Sequence, residues 1–143
     1  MNWTIKTFDE LTGKEIYEIL RSRAEVFVKE QRISYVDPDG IDYKSWHVFA
    51  TENDKVCAYL RAFKDGEDTI KIGRVLTLIH GKETGTQLMK YAISELKAKT
   101  GCRKIIMDAQ SHAISFYQRL GFTITSEEYL EEGIPHVDME ITL

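Results

Sequence analysis

Cysteine is scarce in this chain. Cys57 and Cys102 are the only two, far apart and without Cys-x-x-Cys spacing. That argues against a disulfide framework or a zinc knuckle. The four histidines share no metal-ligand spacing, so no metal is expected. Positive charge is not in excess. Nineteen Lys and Arg face 23 Asp and Glu, for a net charge of −4, and no basic stripe appears. A nucleic-acid partner is therefore not expected. No run approaches the roughly 18 apolar residues of a membrane span. The opening "MNWTIKTFDEL" lacks a signal-peptide apolar core. The expectation is a cytoplasmic protein with free thiols and no membrane contact. Repeats, low-complexity tracts and linkers are also missing. The 143 residues suit one compact domain over 1–143.

What is present is a regular alternation of patterns. "WTIKTF" at 3–8 reads as a strand. Thr12 and Glu15 form a capping box, and Ile16, Ile19, Leu20, Arg23 and Phe27 follow at helical spacing to about Glu30. "YVDPDGID" at 35–42 is a loop broken by Pro38 and Gly40. "WHVFATEN" and "KVCAYLRAFK" form a hairpin turning at Asn53–Asp54. A third strand spans 69–79. Next comes "HGKETGTQLM" at 80–89, a two-glycine turn running into an amphipathic helix that Gly101 ends. "RKIIMDA" at 103–109 is a strand. Ser111 is placed to cap a second helix that Gly121 stops. "FTITSEEYL" and "HVDMEITL" are read as the last two strands, with His136 and Asp138 on the polar side of the final one. The order β-α-(loop)-β-β-β-α-β-α-β-β predicts a mixed α/β fold.

The order and several motifs resemble the GNAT family of N-acetyltransferases. "AQSHAISFYQRLGF" at 109–122 is similar to the family's second cofactor segment, Asn-x-x-Ala-x-x-Phe-Tyr-x-x-x-Gly-Phe. Gln110 stands at the Asn position, and Ala113, Phe116, Tyr117, Gly121 and Phe122 match. "VFVKEQ", "DPDGID", "AYLR", "GRV" and "EGIPHVDM" resemble the ElaA-like branch in particular. "HGKETG" occupies the place of the family's phosphate loop, with two departures. His80 replaces an Arg or Gln, and Glu83 replaces the first glycine.

The resemblance implies an acyl-CoA N-acyltransferase fold and acetyl-CoA as co-substrate. The acceptor would be a small-molecule amine or a protein amine. Val75, Leu76 and Thr77 would pair with the pantetheine arm and aim an N–H at the thioester oxygen; a plain central strand reads equally well. Gly81, Lys82, Thr84, Gly85 and Thr86 would meet the phosphates at a helix N-terminus, where unpaired N–H groups and the dipole favour an anion. An ordinary capped turn is the alternative. Gln110, Ala113, Phe116 and Tyr117 complete the cofactor set. Ala113 and Tyr117 share a face as i and i+4. A tyrosine hydroxyl, with an ordinary pKa of about 10, can protonate a departing thiolate; the alternative is a core aromatic.

The base is less legible. An amine with a pKa of about 10.4 must lose a proton before it attacks. Glu30 and His136 are the chosen candidates, beside His47, Glu128 and Asp138, each of which also reads as a solvated or hydrogen-bonding residue. Gln31, His47, Arg61 and Arg74 are candidates for the acceptor pocket, the arginines for a substrate carboxylate. They also read as sheet-surface charges. "EEYLEEG" at 127–133 reads as a solvated acidic hairpin tip that biases the entrance toward basic acceptors. A CoA-binding or interaction module without catalysis is the rival function. A homodimer through the C-terminal hairpin is compatible with the sequence but not required by it.

Overall fold

In the computed structural model, which describes residues 1–34, 36–81 and 83–143, eight strands form one sheet. They are β1 (Asn2–Thr7), β2 (Trp46–Glu52), β3 (Lys55–Lys64), β4 (Thr69–Thr77), β5 (Lys104–Gln110), β6 (Thr123–Ile124), β7 (Tyr129–Glu131) and β8 (Ile134–Thr142). The sheet order is β1-β2-β3-β4-β5-β8-β6, with β7 also on β8. Pairing is antiparallel except between β4 and β5. That parallel pair needs a crossover, which α2 (Thr84–Thr100) supplies.

Local chemistry accounts for most boundaries. α1 (Gly13–Arg23) starts at Thr12, whose side chain accepts from the Glu15 N–H while Glu15 accepts from the Thr12 N–H. The helix continues as a π-helical segment, Ala24–Glu30, with Gln31 N–H bonding to the Val26 carbonyl. Asn53 and Asp54, both left-handed, turn the β2–β3 hairpin. Gly101, at φ +66°, ends α2.

Alternate residues of β2 and β3 bury against opposite layers. Val48, Ala50, Ala58 and Leu60 face α2 through Leu88, Met89, Ala92 and Leu96. Phe49 and Tyr59 face α1 and the π-helical segment through Ile19, Val26 and Phe27.

The structure corrects two expectations. "FTITSEEYL" is not one strand: it is split into β6 and β7. Between them the Ser126 hydroxyl accepts the Asp138 N–H at 2.8 Å, a side chain standing in for a ladder carbonyl. Ser111 does not cap a helix. It opens a 3-10 turn, Ser111–Ala113, and donates its hydroxyl to Glu128 at 2.8 Å; α3 (Ile114–Arg119) begins only after that turn.

Candidate active site

The parallel seam between β4 and β5 is short. Thr69–Ile72 pair with Lys104–Met107, and the strands then part. The far half of β4 stays with β3, while Asp108–Gln110 stay with β8. A bulge in β4 opposite Tyr59–Arg61 inserts one residue and puts Arg74 at φ +51°. The parted strands open a cleft of about 500 Å³.

Much of the sequence-derived set meets there. Val75, Gln110, Ala113 and Tyr117 line the cleft, as do Gln31, Arg61, Arg74 and His136. The Tyr117 side chain is buried, and burial holds its hydroxyl well above the usual phenol range. That hydroxyl makes no hydrogen bond with another described residue. The His136 ring stacks on Tyr129, with centroids 6.1 Å apart. Its Nδ1 lies 2.7 Å from the Ile134 carbonyl. A carbonyl only accepts, so Nδ1 carries a proton, and in the neutral form of the ring the lone pair is on Nε2. Gln31 and Gln110 exchange two amide hydrogen bonds, at 3.2 and 2.9 Å.

Other candidates lie elsewhere. Glu30 is exposed at the end of the π-helical segment and does not line the cleft. His47 is buried beside a smaller cavity of about 260 Å³, between the Tyr59 hydroxyl at 2.7 Å and the Asp42 carbonyl at 2.9 Å. Burial lowers its pKa and favours the neutral ring, opposed by Asp42 and helped by the nearby Arg23 and Arg61. The Leu76 side chain packs in the core with Ile19, Val26 and Phe27, while the role expected of Leu76 is one for its backbone. Glu128 holds Ser111, and Asp138 accepts from the Tyr129 hydroxyl at 2.6 Å.

None of the described residues of the phosphate-type loop is among those lining the cleft. Gly81 has φ +74°, and Glu83, the residue replacing a family glycine, has φ +54°. Glu83 is exposed and makes no side-chain cap. The first turn of α2 holds no acidic residue. Thr84 Oγ1 is buried without a hydrogen-bond partner among the described residues. Gly85 lets Phe116 approach: a Cβ there would meet Phe116 Cζ at 3.2 Å and Thr77 Cγ2 at 3.9 Å. An uncapped helix start with an orphaned hydroxyl fits an anionic group such as a phosphate. Thr86 lies one residue further into the helix. Lys82 lies outside the described residues.

Sequence reasoning missed an ionic lattice along one side of the cleft. Arg23, with its side chain fully buried, reaches Asp37 at 2.9 Å and Asp42 at 2.7 Å. Arg61 grips both carboxylate oxygens of Asp39 at 2.7 Å and reaches Asp42 at 3.1 Å. Arg74 reaches Asp37 at 3.1 Å. The "DPDGID" loop thus supplies three carboxylates to three guanidiniums from α1, β3 and β4. Arg61's hydrogen bonds hold the Asp39 pKa down at about 2. Burial opposes ionisation of Asp42, yet Arg23 and Arg61 bring its pKa below the ordinary value. Asp residues spaced two and three apart, facing alternating arginines on strands, were the available signal.

A family model for the acetyltransferase (GNAT) domain matches residues 16–143. The chain is 34% identical to the Escherichia coli protein ElaA over 145 residues, covering 97% of this chain and 95% of that one. It superposes on the crystal structure of E. coli ElaA with a TM-score of 0.93 at 32% identity, over 99% of both chains. An acyl-CoA N-acyltransferase from Pseudomonas aeruginosa gives 0.92 at 36% identity, over 98% of both. An aminoglycoside 6'-N-acetyltransferase complexed with coenzyme A shares the fold at 0.76 and 16% identity, over 97% of this chain and 96% of that one.

Proposed function

The chain belongs to the acetyltransferase (GNAT) family, and from that premise we propose that it acetylates a primary amine by direct transfer. Acetyl-CoA, when bound, supplies the activated acetyl group. The α2 N-terminus, with the Thr84, Gly85 and Thr86 N–H groups and the Thr84 hydroxyl, suits its phosphates. The edge of β4 at Val75 and the Gln110 amide flank the cleft where the arm would lie. Tyr117 holds the proton for the departing thiolate, because burial keeps its hydroxyl un-ionised at neutral pH. His136 takes the proton of the amine at Nε2, since Nδ1–H is fixed on the Ile134 carbonyl. Exposed Glu30 is not given that role.

One observation carries the reading: a proton donor, Tyr117, and a proton acceptor, His136, line the same cleft between parted strands. Tyr117→Phe tests it. Acetyl-CoA binding by calorimetry should persist, while kcat falls about a hundredfold or more. Unchanged turnover removes Tyr117 from the mechanism. A wild-type chain that binds no acetyl-CoA at millimolar concentration overturns the enzyme reading and leaves an interaction module.

A further inference from the structure

The cleft contains two arginines and one lysine among its described lining residues, and each already has a carboxylate. Arg61 is on Asp39 at 2.7 Å, Lys71 on Asp108 at 3.2 Å and Arg74 on Asp37 at 3.1 Å. An acceptor bearing a carboxylate would have to compete with these pairs. Glu131 is different. It lines the cleft from the end of β7, and its side chain is 50% exposed. Its ion-pair neighbour among the described residues is His136 Nε2, 3.5 Å away. With a proton fixed on Nδ1, that nitrogen holds the lone pair of the neutral ring that the proposed base requires. In that form two hydrogen-bond acceptors face each other. A cationic N–H donor satisfies both.

We infer that Glu131 is the residue that seats the acceptor's ammonium group, and that the site selects acceptors by their positive charge. The inference rests on the proposed reaction, and it adds the chemistry of the acceptor. An ammonium at this point donates one N–H to Glu131 Oε2 and one to His136 Nε2. Transfer of the second proton leaves a neutral amine with its lone pair free to attack. The imidazolium that forms then faces the Glu131 carboxylate. Glu132, the next residue of the tip, also lines the cleft and adds charge of the same sign.

Three amines of one chain length and different charge test this: putrescine, n-butylamine and 4-aminobutyrate. The expected order of kcat/KM is the order written. Glu131→Gln should weaken binding of all three amines by about tenfold, because the ammonium it seats is common to them, and should shrink the putrescine-to-4-aminobutyrate ratio only as far as its charge reaches the distal group. High salt should shrink the wild-type ratio as well, because the screening length drops to about 3 Å at 1 M. Calorimetric binding of the same amines, with and without CoA, reads the preference independently of turnover. Equal constants for the three amines, or a preference for 4-aminobutyrate, overturn the inference. So does a Glu131→Gln variant that lowers kcat for the three amines while their calorimetric binding is unchanged, which would make Glu131 only a prop for His136. Failure to bind acetyl-CoA would instead strike the proposed reaction and leave the amine-binding result readable.

Discussion

At the scale of single residues, Arg23 is the least expected feature. Its position on the helical stripe with Ile19 and Phe27 was legible. Its fully buried side chain was not, because its partners Asp37 and Asp42 lie well along the chain and only the fold brings them near. A buried charge that loses its partners is costly, and so are partners that lose their charge. Arg23→Met should therefore destabilise the protein by about 3–5 kcal/mol, read as a lower urea midpoint with an unchanged slope. His136 gives the complementary lesson. The alternation in β8 placed it on the polar side. Its burial depends on Tyr129 stacking over it, and nothing local encodes that.

At the scale of elements, local rules read well. The Thr12–Glu15 box, the Asn53–Asp54 turn and the Gly101 stop are each written within a few residues. The 35–42 loop was equally clear as a loop but opaque as an ionic lattice, since charge pairing across elements has no period. The lattice has a pH consequence. Asp39 titrates at about 2 when folded, against an ordinary value of 3.8, because Arg61 binds its charged form. A lowered folded pKa contributes stability above the unfolded value, and that stability is lost as pH falls through the folded one. Urea unfolding should show stability dropping between about pH 4 and pH 2. Asp39→Asn should flatten that part of the profile; an unaltered slope would mean that other carboxylates govern the acid limb.

At the scale of the whole molecule, the sequence conveyed the mixed fold and its family, and much of the cleft lining with them. The residue pattern by itself could not convey where β4 and β5 part, because both read as continuous strands; only the family resemblance pointed to Val75–Thr77. If acetyl-CoA fills that opening, binding adds to folding stability through mass action. At about a hundred times Kd the gain is about 2.7 kcal/mol, so Tm should rise by about 5–10 °C. An unmoved melting curve at saturating acetyl-CoA would contradict the proposed site.

The short seam has one more consequence. Four residue pairs join β4 to β5, and past Ile72 and Met107 the strands' facing edges have no strand between them. Backbone amides that point from those edges into the gap meet water in the free protein. They should exchange deuterium quickly, while their neighbours on the β3 and β8 sides exchange slowly. A ligand lying along the gap would act as a borrowed strand and silence only the inward-facing set. Every second amide of the parted segments thus becomes an occupancy meter, one that works without knowing the acceptor.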